Sequence, residues 1–182
     1  MITLKCLFLD ELADRLDSEK RLVIAMPSMI KTATCKHLQK LIASHLAETK
    51  RQVGKLEKVF KLFGEKPSVK RCQATLGLLA EGAEVSTDFK TSPVINAALV
   101  LVAQKIEHYE IAAYGCLREW STLLGNKPAA DILDEILGEE KAANQALIDL
   151  ARARCNVQAL EVFCEDEACL MPKKGKAMKR AA

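Results

Sequence analysis

Several glutamates lie on or beside the apolar stripes of the long amphipathic segments. A helix of a soluble protein normally has no charged side chains on that face. Glu19 falls between Leu16 and Val23, at spacings of three and four residues. Glu140 follows Leu137 by three residues, and the same pattern recurs in two other segments. The acidic residues concerned are Glu19, Glu48, Glu107, Glu110 and Glu140, and His45 precedes Glu48 by three residues.

Inward carboxylates in such numbers favour a bound cation. A lone ionised carboxylate is costly to bury and usually takes up a proton, and several of them together repel one another. A central cation resolves both problems, and oxygen donors assisted by an imidazole suit iron or manganese. We therefore treat the five glutamates and His45 as candidate ligands of two such ions. A second interpretation stays open, in which each glutamate extends to solvent or pairs with a neighbouring lysine such as Lys20, Lys105 or Lys141.

Two tyrosines accompany the glutamates of the third long segment. Tyr109 and Tyr114 flank Glu110 and could be redox-active neighbours of a metal or hydrogen-bond partners of the carboxylates. A tyrosine at such a position is more often a core residue whose hydroxyl group is satisfied. The spacing alone leaves these roles open.

Apolar spacing with a period of 3.6 residues predicts four long helices that carry these side chains. They run over residues 4–26, 34–63, 93–124 and 128–154, with shorter helices over 68–85 and 157–170. Pro27 is expected to bend or break the first helix because it cannot donate the helical hydrogen bond. Gly64 is expected to end the second helix, and Ser92 to cap the third with Pro93 at its first position.

The order of these elements predicts an all-α fold. Short loops make helices one and two, and helices three and four, antiparallel neighbours, whereas a long connection with its own short helix joins helices two and three. Two hairpins joined by one crossover are typical of a ferritin-like four-helix bundle. We expect this bundle over residues 1–160 and a C-terminal extension over residues 161–182.

The formal net charge of +3 is concentrated at the C-terminal end. Five lysines and arginines lie within residues 173–182, and removing their charges from +3 leaves −2 for the remainder. A basic tail could contact nucleic acid, but no aromatic platform or basic helix face accompanies it. We expect a solvated terminus rather than a nucleic-acid interface.

The sequence also lacks the signals of export and membrane insertion. No apolar run approaches the roughly 20 residues of a membrane span, and residues 1–9 lead into Asp10 and Glu11 without a cleavage site. The seven cysteines form no CxxC pair and are expected to be free thiols rather than a zinc site. We expect a cytoplasmic protein.

At these residues the sequence resembles the ferritin-like YciE/YciF proteins of bacteria. The most specific likeness is the run Ile106-Glu-His-Tyr-Glu-Ile-Ala-Ala-Tyr-Gly115 in helix three. Helix two shares His45-Leu-Ala-Glu48-Thr49, and helix four shares Glu139-Glu140-Lys141-Ala142. The likeness extends from about residue 7 to about residue 153.

The resemblance implies a ferritin-like bundle, a homodimer, an association with bacterial stress responses and, by analogy with rubrerythrins, a di-metal centre. Ferritin-like centres carry Glu-x-x-His on two helices, but Arg51 and Ala143 stand where those histidines would be, and Leu16 replaces a usual tyrosine. Two hypotheses follow. One is a metal-binding protein that oxidises ferrous iron or disposes of peroxide, and the other is a structural or interaction protein with a degenerate site.

Overall fold

The part of the chain that the structure describes is largely helical. The structure is a computed structural model, and it describes residues 1–161. Its elements are α1 (Leu4–Thr32), α2 (Lys36–Leu62), α3 (Gln73–Asp88), α4 (Ile95–Leu123), α5 (Lys127–Leu150), a π-helical turn (Ala151–Cys155) and α6 (Asn156–Leu160). Within residues 1–161 there is no strand, which confirms the predicted all-α class.

The four long helices pack against one another. Helix α1 contacts α2 and α4, and α5 contacts α4 and α2, so that each long helix has two long neighbours. Short loops join α1 to α2 and α4 to α5, whereas the connection between α2 and α4 contains α3. Helix α3 lies against α4 and α1.

Two apolar clusters fill the interior, and a set of buried polar side chains separates them along each long helix. On α1, the residues from Phe8 to Leu16 belong to one cluster and Leu22 and Met26 to the other, with Glu19 between them. Helices α2, α4 and α5 are divided in the same way. We call this set the polar layer. Its members are at most 7% exposed and comprise Glu19, His45, Thr49, Gln52, Glu107, Glu110 and Glu140.

Capping groups explain where several helices begin and end. Thr3 Oγ1 accepts a hydrogen bond from the backbone N–H of Cys6 (3.3 Å) at the start of α1, and Asn126 caps α5 in the same way. Gly64 (φ 72°) and Gly125 (φ 74°) adopt the left-handed backbone that commonly follows a helix. The predicted end of the second helix at Gly64 is therefore confirmed.

The first helix does not break at Pro27, so its predicted end at Met26 is wrong. Helix α1 continues through Pro27 to Thr32. A proline removes one hydrogen-bond donor from the helix, but Met29 and Ile30 beyond it still pack against the interior, and the N–H of Ala33 closes the last turn on Met29. Packing of the following turn therefore offsets the lost hydrogen bond.

Two other predicted boundaries are also wrong. Ser92 does not cap α4, because its Oγ accepts a hydrogen bond from the N–H of Val94 (3.3 Å) within a turn, and the helix begins at Ile95. The fourth helix does not fade near Arg154, because the chain passes through the π-helical turn into α6. Helix α6 lies against α4.

The remaining C-terminal predictions lie outside the described residues. Helix α6 covers only the start of the predicted helix 157–170, and Cys164, Cys169 and the basic residues 173–182 are not described. The five cysteines within residues 1–161 are free thiols, as predicted. None of the helices in this part of the chain offers a stretch long and apolar enough to cross a bilayer.

Candidate metal centre

Four of the predicted ligands converge in the polar layer. His45, Glu107, Glu110 and Glu140 each offer one ligand atom, and these four atoms lie within 4.8 Å of one another. Helix α2 supplies the histidine, α4 the two glutamates and α5 the third. Because Glu107 and Glu110 are three residues apart, they share one face of α4. Three helices thus deliver three carboxyl groups and one imidazole to a single point.

The hydrogen bonds within this group leave several atoms without partners. His45 Nε2 lies 3.2 Å from Glu107 Oε1 and 3.6 Å from Glu140 Oε2, and Gln52 Nε2 donates to Glu140 Oε1 at 2.5 Å. Buried polar atoms are nearly always paired. The buried atoms without a hydrogen-bond partner include His45 Nε2, Glu107 Oε2, Glu110 Oε1 and Glu140 Oε2. These are the atoms that a cation would take as ligands.

Glu19 lies beside this group on α1. It is 1% exposed, its Oε1 accepts a hydrogen bond from the hydroxyl of Tyr114, and its Oε2 is buried without a partner. Tyr109 donates its hydroxyl proton to Asp14 Oδ2 at 3.1 Å. Of the roles that the sequence left open for these tyrosines, the structure shows hydrogen bonding to carboxylates, and Tyr109 bonds to an aspartate rather than to one of the candidate glutamates.

Glu48 occupies the outer edge of the centre. Its side chain is 31% exposed, and its Oε2 lies 3.4 Å from Nδ1 of His45, on the side of the ring away from Glu107. It borders a groove between α2 and α5 that is also lined by Glu135 and Glu139. The structure therefore brings four of the six predicted residues together, places Glu19 next to them, and leaves Glu48 at the surface of the site.

Burial and mutual repulsion favour the protonated carboxyl groups when no cation is bound. Burial, together with the charges of Glu19 and Glu107, raises the pKa of Glu140 to about 10. Burial also raises the pKa of Glu19 and of Glu107, and burial with the neighbouring glutamates raises the pKa of Glu110 well above its ordinary value. A divalent cation would have to displace these protons, which couples its affinity to pH.

The donor set fits a divalent metal ion such as iron or manganese. Carboxylate oxygens and an imidazole nitrogen are the ligands that such ions take between facing helices of a bundle. The four residues bring ligand atoms close to one position, and a cation there would offset the repulsion that raises the pKa of the glutamates. On these grounds the residues present fit a metal ion.

A second buried charge, missed by the sequence analysis, lies near the centre. Arg15 is fully buried, and its guanidinium carbon lies 4.0 Å from the centre of the Tyr109 ring. It donates hydrogen bonds to Asp14 Oδ2 (3.0 Å), to Cys72 Sγ (3.3 Å) and to the hydroxyl of Tyr109. One signal could have revealed it, because Arg15 precedes Glu19 by four residues and so shares its helix face.

Comparison with known proteins decides the family. The family described as "Domain of unknown function (DUF892)" matches residues 3–160. The chain belongs to the DUF892 family. The protein YciF of Escherichia coli strain K12, one of its relatives, is 36% identical over 160 residues, which cover 87% of this chain and 96% of YciF. The resemblance to the YciE/YciF proteins is thus confirmed.

Solved structures agree with this DUF892 assignment. The crystal structure of the E. coli stress protein YciF matches with a TM-score of 0.82 at 36% identity, over 86% of this chain and 99% of that one. YcfI of Rhodopseudomonas palustris, which has been proposed to be a structural protein, matches with a TM-score of 0.77 at 42% identity, over 80% and 93% of the two chains. A protein of Xanthomonas campestris shares the fold at 21% identity and a TM-score of 0.65.

Proposed function

We propose that this DUF892 protein binds iron or manganese in the polar layer through His45, Glu107, Glu110 and Glu140. The observation that carries the proposal is that four buried side chains bring ligand atoms within 4.8 Å of one another, and that each of these side chains has a buried polar atom without a hydrogen-bond partner. Bound iron would supply redox chemistry, such as the oxidation of ferrous iron or the disposal of peroxide. The protein's own residues hold the ion, exclude bulk water and release protons when it binds.

A second ion would draw on Glu19 and Glu48. Glu19 Oε2 is buried without a partner next to Glu110, and the partly exposed Glu48 borders the groove between α2 and α5, which offers cations an approach from solvent. The alternative of a single ion is favoured by Gln52, a neutral amide that already donates to Glu140. The stoichiometry of binding distinguishes one ion from two.

We also propose that the helices form a ferritin-like bundle with α3 in the crossover. The order in which each helix meets the two apolar clusters supports this topology, because α1 and α5 meet them in one order and α2 and α4 in the other. Helices α2 and α4 then run in the same direction and need a long connection. From the family resemblance we further propose a homodimer in the cytoplasm and a C-terminal extension over residues 161–182.

Metal titration of the purified protein tests the proposed function. Chelator-treated protein is titrated with Fe²⁺ or Mn²⁺ without oxygen, and binding is followed by calorimetry and by melting temperature. We expect saturable binding and a higher melting temperature, because a ligand that binds only the folded state stabilises it. Glu110→Gln should abolish both effects, whereas Glu84→Gln, at an exposed position on α3, should retain them. Equal binding by wild type and Glu110→Gln would refute the assigned site.

The second candidate function is that of a structural protein without a metal. Its support is that hydrogen bonds already satisfy part of the polar layer, through Tyr114 on Glu19 and Gln52 on Glu140. The similarity to YcfI of R. palustris points in the same direction. In that case the carboxyl groups stay protonated, and chelation leaves the melting temperature of freshly purified protein unchanged. A fall in melting temperature on chelation would eliminate this candidate.

A further inference from the structure

A small apolar cavity adjoins the proposed metal centre. Its volume is about 30 Å³, and all four long helices contribute to its wall. The wall is apolar except for His45 and Glu107, and its apolar side chains include Ile42, Ala103, Ala143 and Leu147. The cavity thus lies within one apolar cluster and ends on two members of the polar layer.

The lining of the cavity includes the half-buried side chains of Met29 and Leu41 as well as His45 and Glu107 of the polar layer. His45 Nε2 and Glu107 Oε2 are buried atoms without hydrogen-bond partners, and their residues are 7% and 3% exposed. A molecule that enters the cavity therefore arrives directly at two of the four proposed ligands.

The chemistry of the wall decides which molecules can pass. A metal ion would lose its hydration along an apolar wall without compensation, and hydrogen peroxide or other polar solutes would lose their hydrogen bonds. Apolar cavities in proteins stay dry but take up apolar gases such as xenon. One water-sized molecule needs roughly 10–15 Å³ of such volume, so that this cavity accommodates a diatomic molecule.

We infer that the cavity is the route by which dioxygen reaches the metal centre, an inference that rests on the proposed function for the use made of dioxygen. Ions would approach through the groove beside Glu48, whereas the apolar oxidant would reach His45 and Glu107 through the cavity. With iron at both proposed positions, two ferrous ions would each give up one electron, dioxygen would accept both together with two protons, and the products would be two ferric ions and hydrogen peroxide. With ferrous iron and dioxygen as the two substrates, the activity of the site is ferrous oxidation rather than peroxide disposal.

The first test needs no metal. Methyl groups of Ile42 and Leu147 in the metal-free protein are observed by NMR under dioxygen pressure, since dissolved dioxygen is paramagnetic and broadens the signals of groups that it contacts. Crystals under xenon pressure give the position of the gas. Ala103→Leu fills the cavity from α4, and Ala143→Val fills it from α5 in case the first variant does not fold. Ala112→Leu, at an exposed position of the same helix as Ala103, is the matched control.

We expect both gases in the cavity of wild type and of Ala112→Leu, and loss of both from the filled variants. The inference would be overturned if wild-type protein showed neither xenon density nor methyl broadening in the cavity, whether or not the protein binds metal.

The second test uses protein loaded anaerobically with Fe²⁺ and then mixed with dioxygen. The filled variants should bind as much iron as wild type but oxidise it roughly tenfold more slowly, the effect of a barrier higher by about 1.4 kcal/mol. Oxidation at the wild-type rate by a variant that excludes xenon would refute the route. A wild type that takes up xenon but binds no iron would instead refute the proposed function, and the two failures are therefore distinguishable.

Discussion

Substitution of Glu140 by glutamine should stabilise the metal-free protein at neutral pH. Glu140 is fully buried, its Oε1 accepts a hydrogen bond from Gln52, and its Oε2 has no hydrogen-bond partner. A glutamine side chain has nearly the same shape, keeps an acceptor for Gln52 and offers N–H donors toward Glu107. Glu140→Gln therefore keeps the contacts of the folded metal-free state and removes only the ionisable group.

The size of the effect follows from the pKa of Glu140 in the two states. The carboxyl group ionises near pH 4.5 in the unfolded chain, whereas burial raises its pKa in the folded protein to about 10. A raised folded pKa means that stability is fully present below pH 4.5 and is lost as the pH rises toward 10. Each pH unit costs about 1.4 kcal/mol, so this group lowers the free energy of unfolding by about 3 kcal/mol at pH 7.

Urea unfolding in the presence of chelator, followed by circular dichroism between pH 4.5 and pH 8, measures this difference. We expect Glu140→Gln to match wild type near pH 4.5 and to exceed it by about 3 kcal/mol at pH 7. The exposed control Glu84→Gln should stay within about 0.5 kcal/mol of wild type. A Glu140→Gln protein that is less stable than wild type at pH 7, or a difference that does not change with pH, would refute the reasoning.

Two further substitutions probe the groups around the centre. Tyr114→Phe removes the donor to the buried Glu19 Oε1 and should lower the free energy of unfolding by about 1–3 kcal/mol in urea unfolding, the usual cost of an unsatisfied buried polar group; an unchanged midpoint would contradict the assigned hydrogen bond. Arg15→Met leaves Asp14 without its guanidinium partner and should cost about 3–5 kcal/mol. Arg15→Lys should recover only part of this loss, because an ammonium group cannot reproduce both the stacking on Tyr109 and the fork of donors; full recovery by lysine would show that charge alone matters.

The helices and the direction in which their side chains face could be predicted from the sequence. Period-3.6 spacing repeats over many turns, so that small angular errors do not obscure which face is buried, and Glu19 and Glu110 were found in this way. The boundary at Pro27 could not be predicted from local rules. The helix continues there because Met29 and Ile30 pack against residues distant in sequence, and such packing overrides local preference.

The geometry of the site could be predicted only in part. His45 and Glu48 are one turn apart on α2, and a small rotation of that helix decides which of them faces the centre; in the structure His45 does, and Glu48 lies at the edge. Arg15 was missed because its partners Tyr109 and Cys72 are 94 and 57 residues away along the chain. Contacts of that separation are set by how whole helices dock, which a pattern within one helix does not encode.

The polar layer also has a mechanical consequence for the whole domain. It crosses all four long helices at about mid-length and separates the two apolar clusters, which have little direct contact with each other. Without an ion, only a few side-chain hydrogen bonds join the helices at the polar layer. Unfolding of one apolar cluster is then only weakly coupled to unfolding of the other. An ion bound to α2, α4 and α5 at once would link these helices at the polar layer, so that the two halves of the domain would unfold together as one cooperative unit.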